Sequence, residues 1–340
     1  MVLDSFGNVY ITGRSSGIDN YDYATIKYNN NGLQQWIQRY NGLDNSGGNG
    51  SSIAVDVLGN VYVTGSSIGI GTLWDYATIK YNSNGVQQWV QRYNGPGNSS
   101  DVCISIAVDF SGNVYVTGNS YGMENSDYAT IKYNSNGIEQ WIQRYDGPGI
   151  SGDYVKSMVL DNLGDIYITG YSYGTEDLTD YATIKYNSYG VQQWVQRYNG
   201  PENRDDIAFS ISTDVSGNLY VTGLSWGWTK NDYTTIKYNS NGAEQWILRT
   251  TDIINGFPYS IPNFVDVLSN IYVAGSSWND TTWHDYIVIK YSQQNQAITQ
   301  PSIAITPVQI NPSGIVSITG QNFRANTQVN VSVTSSNSQT

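Results

Sequence analysis

The chain has 340 residues and a net charge of −12, with 16 Lys and Arg against 28 Asp and Glu. Its hydrophobic share of 39% and its 29 tyrosines can build a folded core, which excludes a disordered chain. The excess of acidic residues argues against nucleic-acid binding. No apolar run is close to the length of about 20 residues that a membrane-spanning helix needs.

A repeated segment organises the chain from its beginning. The Asp of a D-x-x-G-N motif recurs at positions 4, 56, 109, 161, 214 and 266, and an Asp-Tyr pair recurs at 22, 75, 127, 180, 232 and 285. The period of about 52 residues is typical of propellers and solenoids.

Each repeat predicts four short strands, here named a to d in chain order. In the second repeat they are residues 52–56, 61–65, 76–81 and 87–93, all rich in Val, Ile, Thr, Tyr and Trp. Asp56 to Gly59 and Asn82 to Gly85 predict tight turns that join a to b and c to d. Because both faces of these strands are partly apolar, the sheets must stack. We therefore expect an all-β fold, a β-propeller of six four-stranded blades.

Residues that recur in every repeat are expected to serve the fold, because a single catalytic centre needs its residues only once. The tryptophans at 36, 89, 141, 194 and 246 should be buried between neighbouring blades. The repeated Lys and Arg side chains should bond carboxylates or carbonyls. The single cysteine, Cys103, aligns with small residues that enter strand a, which predicts a buried structural thiol.

The run D-x-x-G-N-[VI]-Y-[VI]-T-G, followed by D-Y-A-T-I-K-Y-N-x-x-G-x-x-Q-W, resembles the SBBP-type bacterial β-propeller repeat family. The resemblance covers residues 1 to about 300. It implies a large secreted or surface-attached bacterial protein, and it carries over no catalytic motif.

The sixth repeat departs from the pattern, and its strand d, placed at 296–300, is degenerate. From Pro301 the composition shifts to Ser, Thr, Asn and Val, and ITPVQINPSGIVSITGQNF resembles the opening of an immunoglobulin-like IPT/TIG domain. We expect a propeller over 1–300 and an incomplete IPT/TIG-like β appendage over 301–340, hairpin-like and more mobile than the blades. Both ends look cut, so the chain reads as a fragment of a longer protein. Ring closure with six blades, or with a seventh in the parent protein, stays open.

Variation concentrates in the b–c and d–a connections, which are expected to share one face of a propeller and to carry its ligand site. Five non-repeated tryptophans, Trp74 among them, fall in the b–c connections. Four successive repeats place an aromatic ring three residues after the strand-b Gly. The candidate ligand-binding residues are Tyr121, Tyr173, Trp226, Trp228, Trp278 and Trp283, with the acids Glu124, Glu176 and Asp177. The alternative is that these rings only cap the blade edges.

Thirteen acidic residues against four basic ones fall in these connections, among them Asp101, Asp146, Asp153 and Asp206. Such a surface attracts cations or basic partners, or it simply keeps the protein soluble. His284 is the single histidine, which excludes His-rich metal sites. No cofactor motif is present. The pairs Glu176-Asp177 and Asp205-Asp206 offer weak Ca²⁺ binding at most.

The sequence favours a non-catalytic binding or scaffold propeller of a secreted or surface bacterial protein, with a glycan or protein ligand on the b–c/d–a face. One alternative is a carbohydrate-active enzyme that uses loop carboxylates, and another is a purely structural spacer. We expect no enzyme activity, no membrane insertion, and a monomer or one part of a longer multidomain chain.

Overall fold

The computed structural model describes residues 1–17, 20–176, 178–227, 231–254, 261–279, 283–292, 302–306, 316–321 and 328–332. For 251–254, 277–279, 283–286 and the strands after 300, the description is confined to the backbone. The described chain is all-β, and its one helical element is the short 3-10 turn Leu43–Asn45. The predicted fold class is confirmed at this level.

The first three repeats each form one antiparallel four-stranded sheet, with the strands paired in chain order. Sheet 1 holds β1 (Val2–Leu3), β2 (Val9–Ser16), β3 (Tyr21–Tyr28) and β4 (Gln34–Tyr40). Sheet 2 holds β5 (Gly48–Val55), β6 (Val61–Ile68), β7 (Trp74–Tyr81) and β8 (Gln87–Tyr93). Sheet 3 holds β9 (Asp101–Val108), β10 (Val114–Tyr121), β11 (Ser126–Tyr133) and β12 (Glu139–Tyr145).

The next two repeats continue the pattern, and the sixth changes it. Sheet 4 holds β13 (Asp153–Leu160), β14 (Ile166–Tyr173), β15 (Thr179–Tyr186) and β16 (Gln192–Tyr198). Sheet 5 holds β17 (Asp206–Thr213), β18 (Leu219–Trp226), β19 (Asn231–Tyr238) and β20 (Glu244–Ile254). Sheet 6 begins with β21 (Asn263–Val265), β22 (Ile271–Asn279) and β23 (Trp283–Tyr291).

Three further strands follow Pro301. They are β24 (Ser302–Thr306), β25 (Val316–Gln321) and β26 (Gln328–Ser332). β24 and β25 pair antiparallel, β25 also pairs in parallel with β23, and β26 pairs in parallel with β20. The place beside strand c of sheet 6 is thus taken by β25. The predicted strand d at 296–300 lies outside the described residues.

The chain divides into two compact units within sheet 4. Unit 1 comprises Met1–Ile168, Ser172–Asp177 and Tyr186–Gln192, and unit 2 comprises Thr169–Tyr171, Leu178–Lys185 and Gln193–Thr340. Within each unit, the core lies between consecutive sheets. One cluster of unit 1 joins Tyr10 and Tyr23 of sheet 1 to Val63 and Ile79 of sheet 2.

The repeated Asp fixes the turn between strands a and b. In sheet 1, Oδ1 of Asp4 accepts the backbone N–H groups of Phe6 and Asn8, and Oδ2 accepts the Asn8 amide and the Tyr10 hydroxyl. Gly7 follows with φ of 77°, a conformation that side-chain-bearing residues rarely adopt. The D-x-x-G motif is therefore explained by the turn.

The repeated cations also bond as the sequence predicts. Lys27 donates to the backbone carbonyl oxygen of Ser83 in the next sheet at 3.2 Å. Arg39 pairs with Asp22 at 3.0 Å, and equivalent ion pairs recur as Arg92–Asp75, Arg144–Asp127, Arg197–Asp180 and Arg249–Asp232. Cys103 is fully buried, as expected, and its sulfur accepts a hydrogen bond from Thr64 at 3.0 Å.

The tryptophans pack against the next sheet, but most of them are less buried than predicted. Trp36 lies 6.2 Å from Tyr81, centroid to centroid, and Trp89 lies at the same separation from Tyr133. Of the five, Trp246 is buried and the others are half-buried. The reason is that the indoles of the four half-buried tryptophans lie against the c–d turn of the next sheet, where each N–H donates to a backbone carbonyl oxygen.

Candidate functional site

The aromatic residues predicted to lie in the b–c connections stand at strand ends. Strand b of sheet 2 runs to Ile68, three residues beyond its predicted end, and the other b strands lengthen likewise. Tyr121, Tyr173 and Trp226 are the last residues of β10, β14 and β18, and Trp74 is the first of β7. The predicted equivalence of these positions is confirmed, and their assignment to loops is wrong, because the b–c hairpin pairs farther than its turn residues suggest.

Two of the expected ligand-binding rings face solvent to different degrees. Tyr121 is 42% exposed and Tyr173 is half-buried. The backbone holds both in place, because the N–H groups of Gly97 and Gly149 donate to the carbonyl oxygens of Tyr121 and Tyr173 at 3.0 and 3.1 Å. These bonds join the d–a connection to the end of strand b within unit 1.

Sequence reasoning missed a third ring, that of Tyr154. It is half-buried in β13, and burial raises the pKa of its hydroxyl, with further contributions from Tyr121 and Tyr173. Its phenol is therefore within electrostatic range of both. We call Tyr121, Tyr154 and Tyr173 the tyrosine row. The sequence does set Tyr154 apart from its repeat, because the equivalent positions hold the non-aromatic residues Asn49, Val102 and Ile207.

The remaining expected residues divide into four groups. Trp228 and Asp177 lie outside the described residues. Trp278 and Trp283 lie in β22 and β23, where the backbone pairs Trp278 with His284 and Asn279 with Trp283. Glu124 and Glu176 are exposed in the b–c connections of sheets 3 and 4. Trp226 packs against the core of unit 2, whose members include Tyr233 and Val273, so its ring is in large part a core residue.

Three acids expected in the connections are buried instead. Asp101, Asp153 and Asp206 are fully buried at the first positions of β9, β13 and β17. Oδ2 of each accepts the N–H of a glycine six residues earlier: Gly95, Gly147 or Gly200. They serve as internal acceptors for the d–a connection, so the negative face is weaker than the residue count predicts.

Burial changes the acidity of these carboxyls. It raises the pKa of Asp153 to about 6, with Asp146 and Asp127 adding to the rise, while the Ser172 hydroxyl and the Gly147 N–H counteract it. Burial likewise raises the pKa of Asp206 to about 7. Both values follow from the cost of placing a charge where little water reaches it.

Three carboxylates meet where sheet 3 ends and sheet 4 begins. One oxygen from each of Asp127, Asp146 and Asp153 lies within 4.8 Å of the others, and it is the one such group of acids, Cys or His found among the described residues. Asp127 and Asp153 are buried and Asp146 is exposed. We call these three residues the aspartate cluster. It adjoins the tyrosine row, because Asp153 directly precedes Tyr154.

The two carboxylates of Asp205-Asp206, the pair expected to bind Ca²⁺ weakly at most, accept hydrogen bonds from other parts of the chain. Oδ1 of Asp205 accepts the backbone N–H and the hydroxyl of Thr179, at 3.0 and 2.9 Å. Asp206 points to Gly200. The two carboxylates therefore serve different partners.

Comparison with known proteins decides the family of the repeat. Residues 35–71, 88–123, 140–176 and 193–227 match the model of the SBBP β-propeller repeat. The chain carries SBBP repeats at these four positions. Each matched segment runs from strand d of one sheet through strands a and b of the next, and the third contains the aspartate cluster residues Asp146 and Asp153. The stacked four-stranded sheets have the form of propeller blades.

No curated protein matches this SBBP-repeat chain. Solved structures similar to it include the polysaccharide lyase Uly1, with 12% identity, 88% of this chain and 82% of that chain covered, and a TM-score of 0.47. A protein of unknown function from Dyadobacter fermentans shows 7% identity, coverages of 84% and 91%, and a TM-score of 0.47. A protein of unknown function from Bacteroides caccae shows 12% identity, with 67% of this chain and 76% of that chain covered and a TM-score of 0.41. At these TM-scores the similarities carry no functional argument.

The a–b turns of the SBBP repeats show a feature that sequence reasoning did not use. Between the structural Asp and Gly, they present apolar side chains to solvent, such as Phe110, which is 81% exposed. Leu58 and Leu163 are exposed likewise. In unit 1, the turns of sheets 2, 3 and 4 enclose a shallow depression of about 240 Å³.

Among the described residues, no helix has the length and apolar character needed to cross a membrane.

Proposed function

We propose that the protein is a non-catalytic binding propeller whose ligand is a glycan, held at the tyrosine row. The observation that carries the proposal is the exposed ring of Tyr121 at the end of β10, with Tyr154 within electrostatic range of both Tyr121 and Tyr173. Backbone hydrogen bonds fix the ends of β10 and β14, so the rings are presented on rigid elements.

Tyrosine suits sugar binding for two reasons. Its flat ring packs against the apolar C–H face of a sugar, and its hydroxyl remains available for hydrogen bonds. The exposed carboxylates of Glu124 and Glu176 lie in the connections that follow β10 and β14, where they can accept hydrogen bonds from sugar hydroxyls. One ring contributes on the order of 1 kcal/mol. A single sugar would therefore bind weakly, and a polymer that engages several sites would bind more tightly.

A binding role agrees better with the carboxylates than a hydrolytic role does. The two acids whose pKa is raised to about 6 and 7, Asp153 and Asp206, are fully buried. An acid catalyst must reach the glycosidic oxygen within hydrogen-bond distance, and a side chain without exposed surface does not. Their bonds to glycine N–H groups give them a structural role instead.

The proposal extends to the setting of the site. We take the six sheets to be the blades of one propeller and residues 301–340 to be an IPT/TIG-like segment. A polysaccharide ligand fits a secreted or surface-attached protein, since such polymers surround bacterial cells.

Binding to a glycan array and to insoluble polysaccharides tests the proposal, with chromatography of the supernatants to detect released sugars. Retention without release of oligosaccharides supports a binding propeller. Release of oligosaccharides would instead establish an enzyme. Failure to bind any glycan on the array would remove the ligand class.

A further inference from the structure

We propose that the aspartate cluster is a Ca²⁺ site, formed by Asp127 of strand c in sheet 3, Asp146 just after strand d, and Asp153 at the start of sheet 4. One oxygen of each carboxylate lies within 4.8 Å of the others. Ca²⁺ binds oxygens at about 2.3 to 2.6 Å, so two ligands on opposite sides of one ion are roughly 4.6 to 5.2 Å apart. The spacing therefore suits three oxygens around a single ion.

The buried members of the cluster have unused bonding capacity. Oδ1 of Asp127 and Oδ1 of Asp153 are both buried and accept no hydrogen bond. A buried polar atom without a partner costs roughly 1 to 3 kcal/mol, and more when it is charged. A cation bound by these two carboxylates would remove that cost.

The nearby guanidinium does not fill the role. Arg144 uses Nε and Nη2 on Oδ2 of Asp127, at 3.0 and 2.6 Å, leaving Oδ1 of the same carboxylate without a donor. Its remaining donors go to the hydroxyls of Tyr93 and Ser120 and to the Ser120 carbonyl oxygen. Three carboxylates beside one guanidinium leave two negative charges, which a divalent cation neutralises.

Internal comparison shows that this repeat differs from its neighbours. In three other d–a connections, the position of Asp146 is an Asn that donates to a second Asn four residues later, in the pairs Asn41–Asn45, Asn94–Asn98 and Asn199–Asn203. In this connection Ile150 takes the second position, and it is 92% exposed. The Asn–Asn hydrogen bond is therefore absent from this connection, and the Asp146 carboxylate lies beside those of Asp127 and Asp153.

Unpartnered buried carboxylate oxygens also occur in other repeats, but there, in the part of the chain that the structure describes, they lack a third carboxylate beside them. Asp75 and Asp206 also have one unpartnered buried oxygen each, but an Asn, not an Asp, stands at the equivalent of position 146. Asp101 is satisfied by the N–H groups of Gly95 and Tyr121. Among the described residues, two carboxylates that each have such an oxygen lie beside a third carboxylate in the aspartate cluster alone.

The chemistry favours Ca²⁺ over softer or smaller ions. All three side chains offer hard oxygen ligands, which disfavours Zn²⁺ and Cu²⁺. Mg²⁺ demands near-octahedral ligands at about 2.0 to 2.1 Å, whereas Ca²⁺ accepts irregular sets of six to eight oxygens and completes them with water. The exposed side of Asp146 is open to such waters.

The test is calorimetric titration of the EDTA-treated, full-length protein with CaCl₂ at pH 7.5. Wild type should bind one Ca²⁺ per chain, and Asp146→Asn should weaken that binding more than tenfold. The Asn side chain stands at the equivalent position of three other repeats, so this variant should fold and melt as wild type does in EDTA. The matched control is Glu139→Gln, which also replaces an acid with the amide found in neighbouring repeats, here Gln34, Gln87 and Gln192.

Each outcome decides the matter. Loss of binding in Asp146→Asn with retention in Glu139→Gln supports the site. Equal binding in wild type and Asp146→Asn overturns it, and so does the absence of heat or of a thermal shift up to 10 mM CaCl₂. The inference does not rest on glycan binding, since the titration contains no sugar.

Discussion

The indole N–H of Trp89 donates to the backbone carbonyl oxygen of Ser135, in the c–d turn of the following sheet, at 3.3 Å. Lys80 donates to the same oxygen at 2.9 Å. Sheet 1 is joined to sheet 2 in the same way through Trp36, Lys27 and Ser83. Two donors from one sheet on one carbonyl of the next explain why both the Trp and the Lys recur.

Replacing Trp89 with Phe should lower the free energy of unfolding by about 1 to 2 kcal/mol, because the ring stays and the N–H donor is lost. Replacing it with Ala should cost about 2 to 4 kcal/mol, since contacts with Tyr62 and Tyr133 also disappear. Urea denaturation measures both values. The exposed Gln88 provides the control, and a Gln88→Ala change as large as that of Trp89→Phe would contradict the account.

The thiol of Cys103 should resist reagents in the folded protein. It is fully buried, and burial raises its pKa to about 12, so thiolate is scarce at neutral pH. Reaction with a disulfide reagent at pH 8 should be at least about a hundredfold slower than in guanidinium chloride. Rapid labelling of the folded protein would show that strand a of sheet 3 is open.

Stability should increase as the pH falls from 8 to about 5. Burial raises the pKa of Asp206 to about 7, whereas an unfolded chain has an Asp pKa of about 3.9. Between these values the folded protein binds more protons than the unfolded one, so the free energy of unfolding falls as pH rises through this window and levels off above pH 7. Asp153, with a pKa of about 6, acts in the same direction.

Asp206→Asn removes the larger of these two titrations while keeping an acceptor for the Gly200 N–H. In EDTA at pH 8, its free energy of unfolding should exceed that of wild type by on the order of 3 kcal/mol, and the pH dependence should flatten. Thermal melts from pH 5 to 8 measure both effects. An unchanged slope would assign the pH dependence to other groups.

Trp226→Ala should destabilise the protein by about 2 to 4 kcal/mol, because the ring packs against the core between sheets 5 and 6. Chemical denaturation measures the loss. A variant that melted with wild type but lost ligand binding would return Trp226 to the candidate ligand site.

The sequence predicts most of the fold because the repeat is read six times. Asp4 and its equivalents specify the a–b turn directly, and the 52-residue interval gives the number of sheets. The length of strand b was harder to predict, since pairing up to Ile68 depends on backbone hydrogen bonds that leave no mark in side-chain type. The parallel addition of β25 and β26 to sheets 6 and 5 depends on long-range contacts of the same kind.

The candidate site could be predicted only in part. Tyr121 and Tyr173 were identified because the repeat register aligns them. The sequence does not point to Tyr154, because the equivalent positions in other repeats hold aliphatic or amide side chains. The position therefore carries no repeated aromatic residue. The sequence predicts Asp153 in an exposed connection, whereas its carboxylate is buried and accepts the N–H of Gly147, six residues earlier.

The most direct test of the proposed function is the affinity of wild type and three variants for a polysaccharide identified on the array. Tyr121→Ala and Tyr173→Ala should each weaken binding about threefold to tenfold, since one stacked ring contributes on the order of 1 kcal/mol. The matched control is Tyr189→Asn in the c–d turn of sheet 4, where the tyrosine is 83% exposed and other repeats carry Asn. Wild-type affinity in the control, with losses in the other two, is the expected result. Equal affinity in all four proteins, or an equal loss in Tyr189→Asn, would contradict glycan binding at the tyrosine row.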